Sequence, residues 1–194
     1  LGSSHGKTRL IRKAYFEHPD YVSLLHRSYD LWREIEAETK ESLLNLTGLT
    51  IFGKPESQIL KGIKTSTDKF DLKVKALSEA ESQSWNSTFK IPSGFVGFEE
   101  PGGGFLEVER CVLVITAVPW TSQVLKNLNL KMQVHRVTQF WFQGKNSSIL
   151  NQIKSCFAFD MPYGFIYGFP AYYDCKNLKV AIHKPGIKIS DPSQ

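Results

Sequence analysis

Apolar residues near the start of the chain recur at steps of three and four: Val22, Leu25, Tyr29, Trp32 and Ile35, with Glu34, Glu36, Glu38 and Lys40 on the other side. That spacing predicts an amphipathic helix from about Pro19 to Leu44. Thr47-Gly48-Leu49-Thr50-Ile51-Phe52-Gly53 then reads as a short strand closed by glycine, and Ser57 to Lys64 as a short helix after Pro55. Ser78-Glu79-Ala80-Glu81 matches the S-x-x-E capping box, so a helix of about two turns is expected there. Turn signals at Pro92-Ser93-Gly94 and Pro101-Gly102-Gly103-Gly104 bracket Phe95 to Phe98, which reads as a strand or an extended loop.

The second half has a different texture. Val112-Leu113-Val114-Ile115-Thr116 is uninterrupted and β-branched, the pattern of a strand covered on both faces in a parallel sheet, and a helix is expected after Pro119. From Met132 to Phe142 the residues alternate as in one long antiparallel strand, with Phe140 and Phe142 on the same face. Cys156 to Phe159, Phe165 to Phe169 and Leu178 to His183 are three more strands, and four strands without an intervening helix predict a meander. The fold class is therefore α+β. No other five-residue segment has the character of Val112 to Thr116, which leaves that strand without parallel neighbours.

Composition narrows the picture further. With 41% hydrophobic and 22% charged residues in 194, the chain has the make-up of a globular protein, not of a disordered or membrane-spanning one. It begins at Leu1, and Met132 and Met161 are its only methionines, so it reads as a fragment without a signal peptide, cytoplasmic by default. The net charge of +5 is not gathered into a stripe, so no nucleic-acid partner is expected. Cys111, Cys156 and Cys175 are odd in number and lack C-x-x-C spacing, which argues against a disulfide framework or a zinc site.

Candidate chemistry sits at two places. Residues 2–12 pack small side chains, His5, and the guanidinium groups of Arg9 and Arg12, suited to phosphate or carboxylate; a basic flexible terminus is the competing reading. Lys179 and His183 are an even number of positions apart and so share a strand face, near Tyr167 on a neighbouring strand. Lys179 lies between Leu178 and Val180, where an apolar surface would perturb its amine; the competing role is an edge-strand lysine. No G-x-S-x-G elbow, P-loop or H-E-x-x-H site is present.

Gly2-Ser3-Ser4-His5-Gly6-Lys7-Thr8-Arg9-Leu10-Ile11-Arg12 resembles the G-S-S/H-H-G-x-S/T-R-I-I-R segment of the monomeric sarcosine oxidase family, and most closely its peroxisomal sarcosine/L-pipecolate oxidases. The likeness continues through Thr47-Gly48-Leu49, Glu100-Pro101-Gly102-Gly103-Gly104, Leu113 to Thr121, Ile166-Tyr167-Gly168-Phe169-Pro170 and Leu178 to His183. It implies the antiparallel-sheet substrate domain of a two-domain FAD oxidoreductase with an incomplete Rossmann-like FAD domain. Residues 1–18 and 112–128 would be remnants of the FAD domain, and 19–104 and 129–186 mainly substrate domain.

The implied activity is oxidation of a secondary amino acid to an imine, with oxygen reduced to hydrogen peroxide; sarcosine, L-pipecolate and proline-like substrates remain open. FAD is the implied cofactor, amino acid and O2 the implied partners, the monomer the implied state, and the peroxisome the implied address. By resemblance, Ser3, Ser4, His5, Arg9, Ala117, Pro119, Trp120 and Lys179 would bind the cofactor, and Arg12 the substrate carboxylate. Tyr167 and His183 would shape the amine pocket. Arg9, Lys179, Tyr167 and His183 form the implied catalytic set, Lys179 stabilising superoxide as oxygen is reduced.

Departures from the family pattern qualify the expected activity. The G-x-G-x-x-G turn is absent from these residues, Val118 replaces a small residue, and only Phe105 to Cys111 joins Gly104 to Val112, which accounts for the orphan strand. The expected activity is accordingly impaired. A non-catalytic carboxylate-binding module and a demethylating dehydrogenase are the alternatives.

Overall fold

A computed structural model describes residues 8–107, 133–143, 147–171, 177–184 and 186–190. The expected strand at 112–116 and the helix after Pro119 lie outside the described residues. In chain order the elements begin with β1 (Thr8–Ile11), α1 (Tyr21–Thr39), β2 (Leu44–Asn45), β3 (Leu49–Gly53) and α2 (Gln58–Phe70). Next come β4 (Lys75–Leu77), α3 (Glu79–Ser84), β5 (Val96–Glu100) and β6 (Gly104–Glu107). The second half supplies β7 (Val134–Arg136), β8 (Gln139–Gln143), α4 (Ser147–Leu150), β9 (Cys156–Met161), β10 (Gly164–Gly168), β11 (Asn177–His183) and β12 (Ile187–Ile189).

A seven-stranded sheet runs β4-β5-β3-β9-β10-β11-β8, all antiparallel except the β3–β9 pair. Three strands, β1-β6-β2, form a second sheet, and β12 pairs with β7 in a third. The mixed α and β texture is as expected, and all five residues of β3 are buried. Its Leu49 and Ile51 join one core with Cys156, Ala158, Phe165 and Phe169 from the sheet, Leu60 and Ile63 from α2, and Phe105 from β6. Phe52, on the opposite face, stacks on Phe159 at 5.3 Å and meets the Trp85 edge at 5.1 Å in a second, aromatic core. Alternation along one strand thus feeds two layers.

Several boundaries differ from expectation. The first helix ends at Thr39 rather than near Leu44, because Lys40 takes a left-handed conformation (φ 60°) and donates its N–H to Glu36 O. The Glu36 carboxylate then accepts the N–H groups of Leu43 and Leu44 at 2.8 Å each, turning the chain into β2. Val22 and Tyr29 are buried, whereas Ile35, expected on the core face, is 38% exposed. The helix expected to end at Lys64 continues to Phe70, its N-terminus capped by the Ser57 hydroxyl, which accepts from Ile59 and Leu60. The Ser78–Glu81 capping box forms as expected.

The long strand from Met132 is broken at Val137–Thr138, so that β7 pairs with β12 and β8 with β11. For the same reason the four strands are not a simple meander: β9, β10 and β11 follow one another, and β8 closes the far edge.

Gly62, inside α2, lies where a Cβ would come 2.0 Å from the carbonyl oxygen of Phe16. Alanine would raise helix propensity by about 1 kcal/mol, but a contact that short against backbone forces the helix and the 13–16 turn apart. Gly62→Ala is expected to destabilise the fold by about 2 kcal/mol, read as a lower midpoint in urea denaturation. An unchanged or higher midpoint would show that the two segments are not held together.

Candidate functional site

The register of the sheet settles which candidate side chains meet. Tyr167 pairs with Ala181 on β11 and with Ala158 on β9, and Phe169 donates its N–H to Lys179 O. Directly paired residues share a face, so Tyr167, Phe169, Lys179 and His183 point the same way. That face packs against the first core, as do Leu10 and Phe16, and Tyr167 meets the Phe169 ring at 6.0 Å. Two alanines flank the phenol and leave it room.

Lys179 is buried, 6% exposed. Its Nζ donates to the Thr8 carbonyl at 3.0 Å and the Thr8 hydroxyl at 3.1 Å, and lies 4.7 Å from the centre of the Phe169 ring and 5.8 Å from that of Trp141. Arg9 Nη1 donates to the same Thr8 carbonyl at 2.8 Å. Two cations therefore share one acceptor. Burial, and next the like charge of Arg9, lower the Lys179 pKa to about 8. Burial raises the Tyr167 pKa, which Arg9 partly offsets.

Arg12 is held differently. Its guanidinium carbon lies over the rings of both Tyr15 and Phe16, 4.6 and 4.5 Å from their centres, the two rings lying nearly parallel and side by side with centres 6.1 Å apart, and Nη2 donates to Glu17 Oε2 at 3.4 Å. Its Nε is buried without a partner. Phe16 in turn meets Phe165 at 5.4 Å, and Phe165 is the cross-strand partner of His183. The structure thus brings Arg9, Lys179 and Tyr167 together and connects Arg12 to the same face through two rings; His183 shares that face but is exposed. Ser3, Ser4, His5, Ala117, Pro119 and Trp120 lie outside the described residues, as do Cys111, Cys175 and Val118. The remaining cysteine, Cys156, is buried, with its thiol pKa pushed up to about 12 by burial.

Sequence reasoning missed four contributors. Thr8 supplies acceptors to Lys179, and Trp141 lies opposite it on β8. Ser66 donates to Tyr15 O at 2.5 Å. Glu100 is 7% exposed and accepts the N–H groups of Lys13 at 2.7 Å and Ala14 at 3.2 Å. A glutamate just before Pro-Gly-Gly-Gly was the available signal for Glu100; nothing in the spacing marks the other three. Among the described residues there is no group of three or more His, Cys, Asp or Glu that could hold a metal ion, and no helix long and apolar enough to cross a membrane.

The open-form structure of NikD, an unusual amino acid oxidase essential for nikkomycin biosynthesis, matches 99% of this chain and 62% of its own with a TM-score of 0.74 at 15% identity. L-proline dehydrogenase from P. horikoshii matches with a TM-score of 0.63 at 13% identity, over 93% of this chain and 60% of its own. The fold is that of this class of oxidoreductase. In sequence, the chain is 29% identical to monomeric sarcosine oxidase from Bacillus sp. (strain B-0618) over 98% of its length and 60% of the relative's. It is 26% identical to N-methyl-L-tryptophan oxidase from Yersinia pestis (strain Pestoides F) over all of its length and 63% of the relative's. No family model matches it. The chain is a relative of these flavoprotein amino acid oxidases and spans about three fifths of the length of the curated relatives it matches. The sarcosine oxidase alignment runs over 238 positions against 194 residues here, so that relative carries residues with no counterpart in this chain.

The lowered pKa makes a test of sign. Between about pH 8 and 10.5 the unfolded chain keeps a proton on Lys179 that the folded chain has lost, so this group makes stability rise with pH across that window. Lys179→Met is expected to abolish that rise, compared by denaturation at pH 8 and 10, and Arg9→Gln to move the Lys179 titration upward in an NMR pH series. A Lys179 midpoint near 10.5 in the unaltered chain would contradict the burial argument.

Proposed function

We propose that this chain carries the substrate-facing part of an FAD-dependent oxidase that converts a secondary amino acid of the sarcosine or L-pipecolate type to an imine, with O2 reduced to H2O2. The observation that carries the reading is the grouping of a buried lysine and a tyrosine on one sheet face with an arginine from the neighbouring β1, and a second arginine lying over two rings beside them. Support comes from the motif resemblance and from the relatives named for acting on sarcosine and N-methyl-L-tryptophan.

A flavin fits these residues. Lys179 has neutral hydrogen-bond partners and a like-charged neighbour, an environment that favours an electron-rich, anionic group close by. Arg9 and Lys179 would hold it, with Ser3, Ser4, His5, Ala117, Pro119 and Trp120. When bound, FAD supplies the two-electron chemistry.

The chain's own residues do the rest. Arg12, whose Nη2 is paired with the half-exposed Glu17, would exchange that partner for the substrate carboxylate. Tyr167, between two alanines, would offer its hydroxyl to the amine, and the exposed His183 on the same face would help shape the pocket. Lys179 carries a positive charge at neutral pH that favours negative charge developing on oxygen, and with a pKa of about 8 it can release and retake a proton there. The domain division at 1–18 and 112–128 against 19–104 and 129–186, the monomeric state, the L-pipecolate preference and the peroxisomal address belong to the same reading and rest on the resemblance.

One observation favours a second reading. Arg12 is already set by Tyr15 and Phe16, both from this chain, so carboxylate binding does not need the flavin; a non-catalytic carboxylate-binding module follows.

No G-x-G-x-x-G occurs in the 194 residues, so this stretch by itself is expected to bind FAD weakly and turn over little. Absorbance spectroscopy of the purified chain is expected to show far less than one flavin per protein. Stoichiometric yellow protein making peroxide from sarcosine would overturn that expectation. Calorimetric titration with sarcosine or L-pipecolate is expected to show binding that Arg12→Ala weakens at least tenfold. Peroxide formed on adding FAD supports the oxidase, and binding without turnover supports the module.

A further inference from the structure

We propose that Glu100 is a positioning residue: its buried carboxylate clamps the turn after β1, so that Tyr15 and Phe16 hold the Arg12 guanidinium ready for a substrate carboxylate. The carboxylate role of Arg12 rests on the function proposed above; the clamp rests on geometry alone.

Glu100 ends β5 and reaches across to a segment far away in sequence. Its two oxygens each take one backbone N–H, Oε1 from Lys13 and Oε2 from Ala14. On one side it lines, with Ala14, Leu49, Ile51, Ile63 and Phe98, a void of about 10 Å³; on the other the charges of Arg12 and Lys13 act on it. A carboxylate so placed is costly to bury unless its acceptors are used. Here both are used on the two residues that directly follow Arg12.

The rest of the turn is fixed from the other side. Tyr15 N–H closes on Lys13 O at 2.7 Å, Ser66 donates to Tyr15 O, and Gly62 lets α2 approach Phe16 O. The turn therefore has a defined path at Lys13, Ala14, Tyr15 and Phe16. Because the two rings that Arg12 lies over belong to that path, the clamp fixes the surface on which the guanidinium rests. Lys13 points elsewhere, its Nζ over the Tyr29 ring at 4.7 Å. A salt bridge to Glu100 is not the device; the backbone is.

Glu100→Gln keeps the size but presents an NH2 group to one of two N–H donors, so one clamp bond becomes a donor–donor contact. The readouts are the Arg12 Nε–H signal in proton–nitrogen NMR, displaced by the two flanking rings, and sarcosine affinity by calorimetry. Glu100→Gln is expected to move the Nε–H signal toward the position of a free arginine and to weaken sarcosine binding roughly tenfold, in a chain that stays folded. A folded Glu100→Gln chain with an unmoved signal and unchanged affinity overturns the proposal.

Should that variant fail to fold, amide exchange in the unaltered chain decides. Lys13 and Ala14 amides are expected to be protected together with Arg12 Nε–H, and fast exchange at both amides beside a protected Nε–H overturns the clamp. Failure of the unaltered chain to bind sarcosine would instead overturn the carboxylate role of Arg12, leaving the Nε–H signal to judge Glu100.

Discussion

The carbonyl oxygen of Thr8 is where the molecule is drawn together. It accepts from Arg9, its neighbour in sequence, and from Lys179, which comes from the opposite end of the described chain. A lysine amine that leaves water must find acceptors, and β1 supplies them in the Thr8 carbonyl and hydroxyl. The small sheet and the large sheet are therefore joined by a polar contact laid over an apolar core. That contact also concentrates positive charge on a covered part of the sheet face, so the burial that calls for the join is the burial that gives the lysine its unusual acidity.

Two arginines three positions apart end up in different environments because the backbone changes character between them. Arg9 lies in β1, registered against Leu106, and its side chain turns to its own strand. Arg12 lies past the strand end, and its neighbours in space are the rings of the following turn. Of its nitrogens, Nη2 pairs with Glu17 and Nε is buried without a partner, so a carboxylate taken there would compete with Glu17. One arginine belongs to the electrostatics of the covered face and the other to a binding edge, and the phenylalanine pair Phe16–Phe165 is the physical link between them.

Much of this could be read from the sequence where a local rule governs. The capping box at Ser78, the strand at Leu49 to Gly53, and the apolar flanks that predict a buried Lys179 each follow from residues within a few positions. Reading failed where a distant partner decides. Nothing near Val137 shows that β7 will leave the line of β8, since the reason is pairing with β12 and β11. Nothing near Ile35 tells that its side of α1 stays open, and nothing around Thr8 or Ser66 announces an acceptor and a donor for residues far along the chain. The relative facing of Tyr167 and Lys179 likewise needed the register, which the intervening residues do not encode. Glu100 is the sharpest case: its motif was visible, but its task is defined by two N–H groups at the other end of a long loop closure.

The position of β8 carries a consequence in time. It is made before β9, β10 and β11, yet its hydrogen-bonding partner is β11, so during synthesis at roughly 5–20 residues per second it waits for its ladder for a few seconds. What waits is an aromatic strand: Phe140 and Phe142 are stacked at 6.0 Å, and with Trp141 each is about half exposed even in the finished sheet. An unpaired strand of that kind is a ready template for another chain. The nascent protein therefore passes through an interval in which it is stickier than either its beginning or its folded end, and the yield of folded molecules depends on how quickly β11 arrives.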